Sequence, residues 1–141
     1  MIPAIICDLD GCLCDISHRI NYYLDGKLNE FESLLPFDKP NLAVLNVISS
    51  LEYRVLFVTA RGAYLREATE LWLKEFLPSR IKWDLFMRET VHNDAKAKEI
   101  IFMEKIKDRY DVFFALEDRK QCVDMWRKIG IQCWQVADGD Y

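Results

Sequence analysis

Three short polar clusters stand directly behind apolar runs in this chain, and each carries groups able to handle phosphate or a cation. Asp8-Leu9-Asp10-Gly11 follows Ala4-Ile5-Ile6-Cys7, Thr59-Ala60-Arg61-Gly62 follows Val55-Leu56-Phe57-Val58, and Glu117-Asp118-Arg119 follows Phe113-Phe114-Ala115-Leu116. Brought together by a fold, the four carboxylates Asp8, Asp10, Glu117 and Asp118 would repel one another unless a cation neutralised them. An all-oxygen donor set without His or Cys favours a hard ion, Mg²⁺ above Zn²⁺. A calcium EF-hand does not fit, because Cys12 and Leu13 stand where such a loop needs a further acid or Asn and a glycine. Mg²⁺ beside a hydroxyl (Thr59), a guanidinium (Arg61) and nearby lysines (Lys96, Lys98) suits a phosphoryl group. An aspartate can itself attack phosphorus and form a covalent aspartyl phosphate.

The elements that must deliver these clusters read as apolar runs alternating with helical periodicity, the pattern of βαβ units. Strands are predicted over residues 4–8, 54–59, 84–87, 112–116 and 132–136. Helices are predicted over 41–51, capped by Asp38 and Pro40; over 64–77, stopped by Pro78; over 94–109; and over 119–129, closed by Gly130. The expected fold is α/β, a three-layer, doubly wound, mainly parallel five-stranded sheet. Right-handed crossovers place the carboxyl ends of parallel strands on one edge, where ligands bind, so the three clusters are expected to converge there. Residues 11–39 break the alternation, and loops that long inside a compact domain are usually functional. No Pro/Gly/Ser linker divides the chain, so residues 1–141 read as one domain with 11–39 as an insertion.

Composition narrows the alternatives. The 141 residues carry a formal net charge of −4, which argues against coating nucleic acid by bulk charge but not against local contact with it. Five glycines do not write GxxxxGK[ST] or GxGxxG, and two histidines do not write HExxH. A Walker-type kinase, a Rossmann dinucleotide site and a zincin protease are therefore excluded. Five cysteines form an odd set without a CxxC pair, as expected of thiols in a reducing cytoplasm. With neither a basic, cleavable leader nor an 18-residue apolar run, the expectation is a cytoplasmic chain without a membrane span.

The clusters also resemble a family. Asp8-x-Asp10-Gly11-Cys12-Leu13 resembles motif I of the haloacid dehalogenase (HAD) superfamily, Thr59 its motif II, Lys98 its motif III and Glu117-Asp118 its motif IV. Leu116 to Arg119, Met125 to Gly130 and Cys133 to Tyr141 resemble the end of the 3′-phosphatase domain of phage polynucleotide kinase/phosphatase. The likeness covers essentially the whole chain, is most specific over residues 116–141 and weakest over 21–35, and leaves the kinase half without a counterpart. It implies a Rossmann-like HAD fold with a minimal cap at 11–39, and an Mg²⁺-dependent phosphomonoesterase. Asp8 would attack phosphorus and hold Mg²⁺. Asp10 would protonate the leaving 3′ oxygen and then activate water, its main-chain carbonyl serving as a metal ligand. Thr59 would bind the phosphoryl oxygens and Lys98 would offset transition-state charge. Glu117 and Asp118 would complete the metal site, Arg19 and Arg61 would contact the substrate phosphate, and Asp94 would orient the lysine. Two departures stand out: Cys12 replaces the usual Thr of motif I, and Glu117 the usual first Asp of motif IV.

Ordinary readings compete at several positions. Asp94 and Lys98 are four apart and could be a surface ion pair, Asp118 could be a helix cap, and Lys96 competes with Lys98. Asp124 reads as solvated, Trp126 and Trp134 as core or interface aromatics, His18 and His92 as structural, and Tyr22 and Tyr23 as candidates for base stacking. Without room for a full cap domain, an open site would admit a polymer end. The expected substrate is a 3′-phosphorylated DNA or RNA end, or a nucleotide, with a separate polynucleotide kinase as a candidate partner. The rivals are a small-metabolite phosphatase and a non-catalytic HAD-like module that binds nucleic acid or a partner.

Overall fold

Apolar β-branched runs separated by helices lead to a parallel sheet buried on both faces, and the computed structural model, which describes residues 1–141, has that form. Strands β1 (Ile2–Cys7), β4 (Arg54–Gly62), β5 (Trp83–Arg88), β6 (Tyr110–Glu117) and β7 (Cys133–Gln135) form one sheet in the order β5-β4-β1-β6-β7, all pairs parallel. Alternate residues feed two cores. Ile5, Cys7, Val55 and Phe57 pack on one side with Val44 and Ile48 of α3 (Leu42–Ser50) and Trp72 and Leu73 of α4 (Arg66–Phe76). Ala4, Ile6, Leu56 and Val58 pack on the other with Ile101 of α5 (Asp94–Ile101) and Val123 and Trp126 of α6 (Lys120–Lys128). Helices on both faces of a parallel sheet make the expected three-layer α/β fold. No helix is long and apolar enough to cross a membrane.

Residues 11–39 hold β2 (Cys14–Asp15), α1 (Ile20–Leu24) and α2 (Leu28–Ser33), and β2 pairs antiparallel with β3 (Lys39–Pro40). The segment therefore leaves the sheet edge and returns to it beside its own start.

Most boundaries fall within a residue or two of the sequence reading, and four larger differences have a physical reason. β4 continues to Gly62 because its pairing with β5 resumes after a register break between Thr59 and Gly62. A 3₁₀ turn over Ala63–Leu65 precedes α4. The helix expected over 94–109 changes at Phe102 to a π-helical stretch, Phe102–Ile106, which keeps both Phe102 and Ile106 buried. The cap of α3 is Asn41, whose Oδ1 accepts from the amides of Ala43 and Val44. Asp38, expected as a cap, is buried and committed elsewhere.

Candidate active site

The carboxyl ends of β1, β4 and β6 deliver Asp8, Thr59 and Glu117 to one edge, as strand polarity requires. Asp8 is locked at the end of β1 by its amide, which donates to the Leu116 carbonyl of β6 at 3.0 Å. Behind it the chain turns at Gly11, with φ of 80°; a Cβ there would lie 2.1 Å from Asp118 Oδ2. Only glycine lets motif I approach the β6 end this closely. Gly139 has the same need, since a Cβ would lie 2.6 Å from the Arg119 backbone.

Lys98 lies between two acids. Its Nζ donates to Asp8 Oδ1 at 2.8 Å and Glu117 Oε2 at 2.7 Å, and its side chain is buried. Burial opposes the ammonium, but the charges of Asp8 and Glu117 prevail and push its pKa well up. Lys96 instead faces solvent and pairs with Glu99. Trp126 lies beneath the site and donates its indole N–H to Glu117 Oε2, while the Asp118 amide donates to Glu117 Oε1.

Oxygens of Asp8, Glu117 and Asp118 lie within 4.8 Å of one another, and all three residues are buried. Three carboxylates against one ammonium leave excess negative charge in a low-dielectric place. Burial, then the charge of Asp8, pushes Asp118 up to about 7 and raises Glu117 well above the carboxylate range. Asp118 Oδ1 is buried with no partner. A buried orphan oxygen within an acid set carrying surplus charge is a donor group for a hard divalent cation, so these residues fit Mg²⁺. The group Asp10, Cys14 and Asp38 is different, although its atoms are equally close. Two guanidiniums, Arg19 and Arg61, already balance its two carboxylates.

Arg19 and Arg61 converge on Asp10. Their Nη2 atoms lie 2.7 and 2.5 Å from Asp10 Oδ1. Burial alone would raise Asp10, but Arg61 and then Arg19 outweigh it and hold the carboxyl at about 2. Arg61 is fixed by Nη1 donating to Thr69 Oγ1, and its amide donates to Thr59 Oγ1. Arg19 lies over the Phe31 ring at 4.2 Å and is held by Asp38, to which Nε and Nη2 donate at 2.7 Å each. His18 Nε2 is 2.7 Å from Asp38 Oδ1. Sequence reasoning missed Asp38 in this role; its one sequence signal, an acid shortly before a helix, reads as a cap.

Asp94 does not hold Lys98. Its Oδ1 is 3.3 Å from Arg88 Nη2, and its Oδ2 accepts from Arg119 Nη1. Asp124 pairs with exposed Lys120, and Trp134 stacks on Phe114. Tyr23, but not Tyr22, lines the cleft over the site, a cavity of about 670 Å³ between the α1–α2 segment and the sheet edge. Tyr141 also enters it: its hydroxyl lies within hydrogen-bond distance of both the main-chain oxygen of Asp10, at 3.0 Å, and Asp118 Oδ2, at 2.8 Å, and its single hydrogen serves one or the other.

A doubly wound sheet with an Asp-x-Asp turn after its first strand, a buried lysine and an acid pair after its fourth defines a HAD-type phosphatase fold. The family model described as "Polynucleotide kinase PNKP phosphatase domain" matches residues 2–141, and the chain belongs to this family. A protein of Autographa californica nuclear polyhedrosis virus, named for polynucleotide kinase and RNA ligase, is 26% identical over 137 residues, covering 91% of this chain and 18% of that protein. A chain from the structure of the Pnkp1/Rnl/Hen1 complex matches with a TM-score of 0.79 at 33% identity, over 99% of this chain and 48% of its own length. A chain from the Pnkp1/Rnl/Hen1 RNA repair complex matches with a TM-score of 0.82 at 34% identity, over 99% of this chain and 44% of its own length. The chain thus spans less than half of each of these longer relatives.

Proposed function

We propose that this polynucleotide phosphatase domain is an Mg²⁺-dependent phosphomonoesterase that removes 3′-phosphate from polynucleotide ends through an aspartyl phosphate on Asp8. The observation that carries the reading is the Asp8–Lys98–Glu117–Asp118 constellation, in which a carboxylate at a strand end lies beside a buried ammonium and a surplus of acids. Residues 11–39 serve as a minimal cap, and the cleft stays open to a chain end.

Asp8 presents its oxygen to phosphorus, and the P–O bond to the 3′ oxygen breaks as the Asp8–P bond forms. Asp10 gives a proton to the departing 3′ oxygen and takes one from the water that later hydrolyses the acyl phosphate. In the free site Arg19 and Arg61 hold the Asp10 carboxyl down at about 2, and an incoming phosphoryl group would share these guanidiniums, which loosens their hold and lets Asp10 carry the proton of the acid step. Thr59 donates to those oxygens, and Lys98 offsets the charge that develops on them. Asp8, Asp118 and the main-chain carbonyl of Asp10 would hold Mg²⁺, with Glu117 adding charge beside them. When bound, the ion supplies charge neutralisation between nucleophile and phosphate. Asp94 acts on substrate through the arginines it holds.

The relatives are named for RNA ligase and an RNA repair complex, so RNA ends are the first substrate to test, with a separate kinase and ligase as candidate partners. Purified protein is assayed on 3′-phosphorylated and 5′-phosphorylated RNA and DNA oligonucleotides and on small phosphomonoesters, with Mg²⁺ and with EDTA. Release of phosphate from 3′ ends alone, abolished by EDTA, is expected. Equal release from small metabolites would favour the metabolite reading. Hydrolysis of nothing would leave a binding module.

A further inference from the structure

We infer that the divalent cation reaches the acid set through a second cavity, behind the Gly11 turn, and not through the cleft that admits the polynucleotide end. The inference rests on the Mg²⁺ reading of that acid set and adds the route by which the ion arrives. The second cavity measures about 450 Å³ and lies between residues 11–17, 40–42 and 137–141. Asp118 lines this cavity and not the cleft. The residue is 1% exposed, and its Oδ1 is the buried oxygen without a partner. A buried, unpartnered carboxylate on a cavity wall calls for a donor or a cation there.

Charge separates the two openings. The back cavity carries three acids on its wall, Asp15, Asp118 and Asp138, and neither lysine nor arginine. Asp15 and Asp138 are exposed and stand at its mouth. Lys39, which pairs with Asp15 across β2 and β3, is not on the wall. The cleft, in contrast, is lined by Arg19, Arg61, Arg88, Lys98 and Arg119. Its acids are engaged by these cations or, at Glu32 and Glu89, by Tyr64 and Lys105. A wall of one sign concentrates ions of the other, so the cleft draws phosphate and the back cavity draws a cation. Tyr141 is the only residue on the walls of both. Its hydroxyl, beside Asp118 Oδ2 and the main-chain oxygen of Asp10, stands where an ion from behind first meets the acid set. Ion and polynucleotide then use separate entrances, and the ion exchanges while the cleft is filled.

The test follows Mn²⁺, as a stand-in for Mg²⁺, by stopped-flow quenching of tryptophan fluorescence. Trp126, whose indole N–H donates to Glu117 Oε2, reports arrival at the acid set without catalysis. Ser17→Phe puts bulk at the mouth of the back cavity, and Ala63→Phe puts the same bulk in the cleft; both positions are exposed. A plug on the route slows entry and exit alike. Ser17→Phe should therefore lower kon and the EDTA-chased koff by about tenfold each and leave Kd unchanged. Ala63→Phe should leave both rates unchanged. Asp138→Asn, nearly isosteric and on the surface, should lower kon by about threefold at low salt, an effect lost near about 0.5 M salt. A saturating 3′-hydroxyl oligonucleotide should not slow Mn²⁺ entry into the wild type. Slowing by Ala63→Phe or by the oligonucleotide, with Ser17→Phe at the wild-type rates, would put the entrance at the cleft and overturn the route. Rates unchanged in both Ser17→Phe and Asp138→Asn, beside normal Mn²⁺ affinity, would overturn the route and leave the Mg²⁺ reading intact. No Mn²⁺ binding to the wild type would overturn the Mg²⁺ reading itself.

Discussion

The hydroxyl of Tyr141 lies 2.8 Å from Asp118 Oδ2 and 3.0 Å from the main-chain oxygen of Asp10, two of the oxygens proposed above to hold a divalent cation. It partly satisfies a carboxylate whose other oxygen has no partner. A cation drawn to these oxygens has to displace the hydroxyl, so the contact stabilises the metal-free state by about 1 kcal/mol. Tyr141→Phe keeps the ring against Tyr23 and under Arg119 but removes the competitor. Titration calorimetry with Mg²⁺ alone should show affinity raised by about fivefold. Weaker binding in the variant would mean that the hydroxyl supports the metal instead.

Asp8→Asn separates chemistry from folding. The amide cannot attack phosphorus, so turnover should fall by about 10⁴-fold or more. Asp8 is also one of three crowded carboxylates, and Lys98 keeps Glu117 as a partner in the variant. The metal-free melting temperature should therefore hold or rise. Surviving turnover in a clean preparation would remove Asp8 as the nucleophile.

Asp38 should matter more for stability than any acid of the catalytic set. Its side chain is fully buried and grips Arg19 through both oxygens, and Arg19 is itself almost wholly buried. Asp38→Ala leaves that guanidinium short of acceptors, a change that costs about 3–5 kcal/mol. Urea denaturation should show the loss. Asp38→Asn, which retains one acceptor, should lose roughly half as much. Equal stability in the alanine variant would mean that Arg19 does not depend on this partner.

These cases mark what a linear reading can reach. The strand-end clusters were legible because an apolar run that stops at a carboxylate fixes both the element and the edge it faces. Lys98 was separable from Lys96 only by resemblance, and burial now separates them physically. Asp94 was given to Lys98 by resemblance, and the spacing of four on a helix offered an ordinary surface pair as the alternative. A side chain in the first turn points back past the helix start, however, and there it meets Arg88 and Arg119. Asp38 and Tyr141 were beyond reach for a common reason: their partners lie 19 and 131 positions away, across tertiary contacts that no local pattern encodes.

The acid set makes stability depend on pH and metal together. Asp118 moves from 3.8 to about 7 in the folded chain, and Glu117 also rises, because burial and then Asp8 disfavour their ionised forms. A carboxyl raised on folding makes the native state bind more protons than the unfolded one. Its stabilisation is complete below the unfolded value and is lost as pH climbs through the folded one. Metal-free protein should therefore melt lower at pH 8 than at pH 5. Under the proposed function Mg²⁺ takes the ionised carboxylates in competition with those protons, so its effect should run the other way. At a hundredfold excess over Kd, Mg²⁺ should raise the melting temperature by about 10 °C at pH 8 and by much less at pH 5. Scanning calorimetry at both pH values, with EDTA and with Mg²⁺, decides the matter. An equal metal effect at the two would mean that these carboxylates are not where the ion binds.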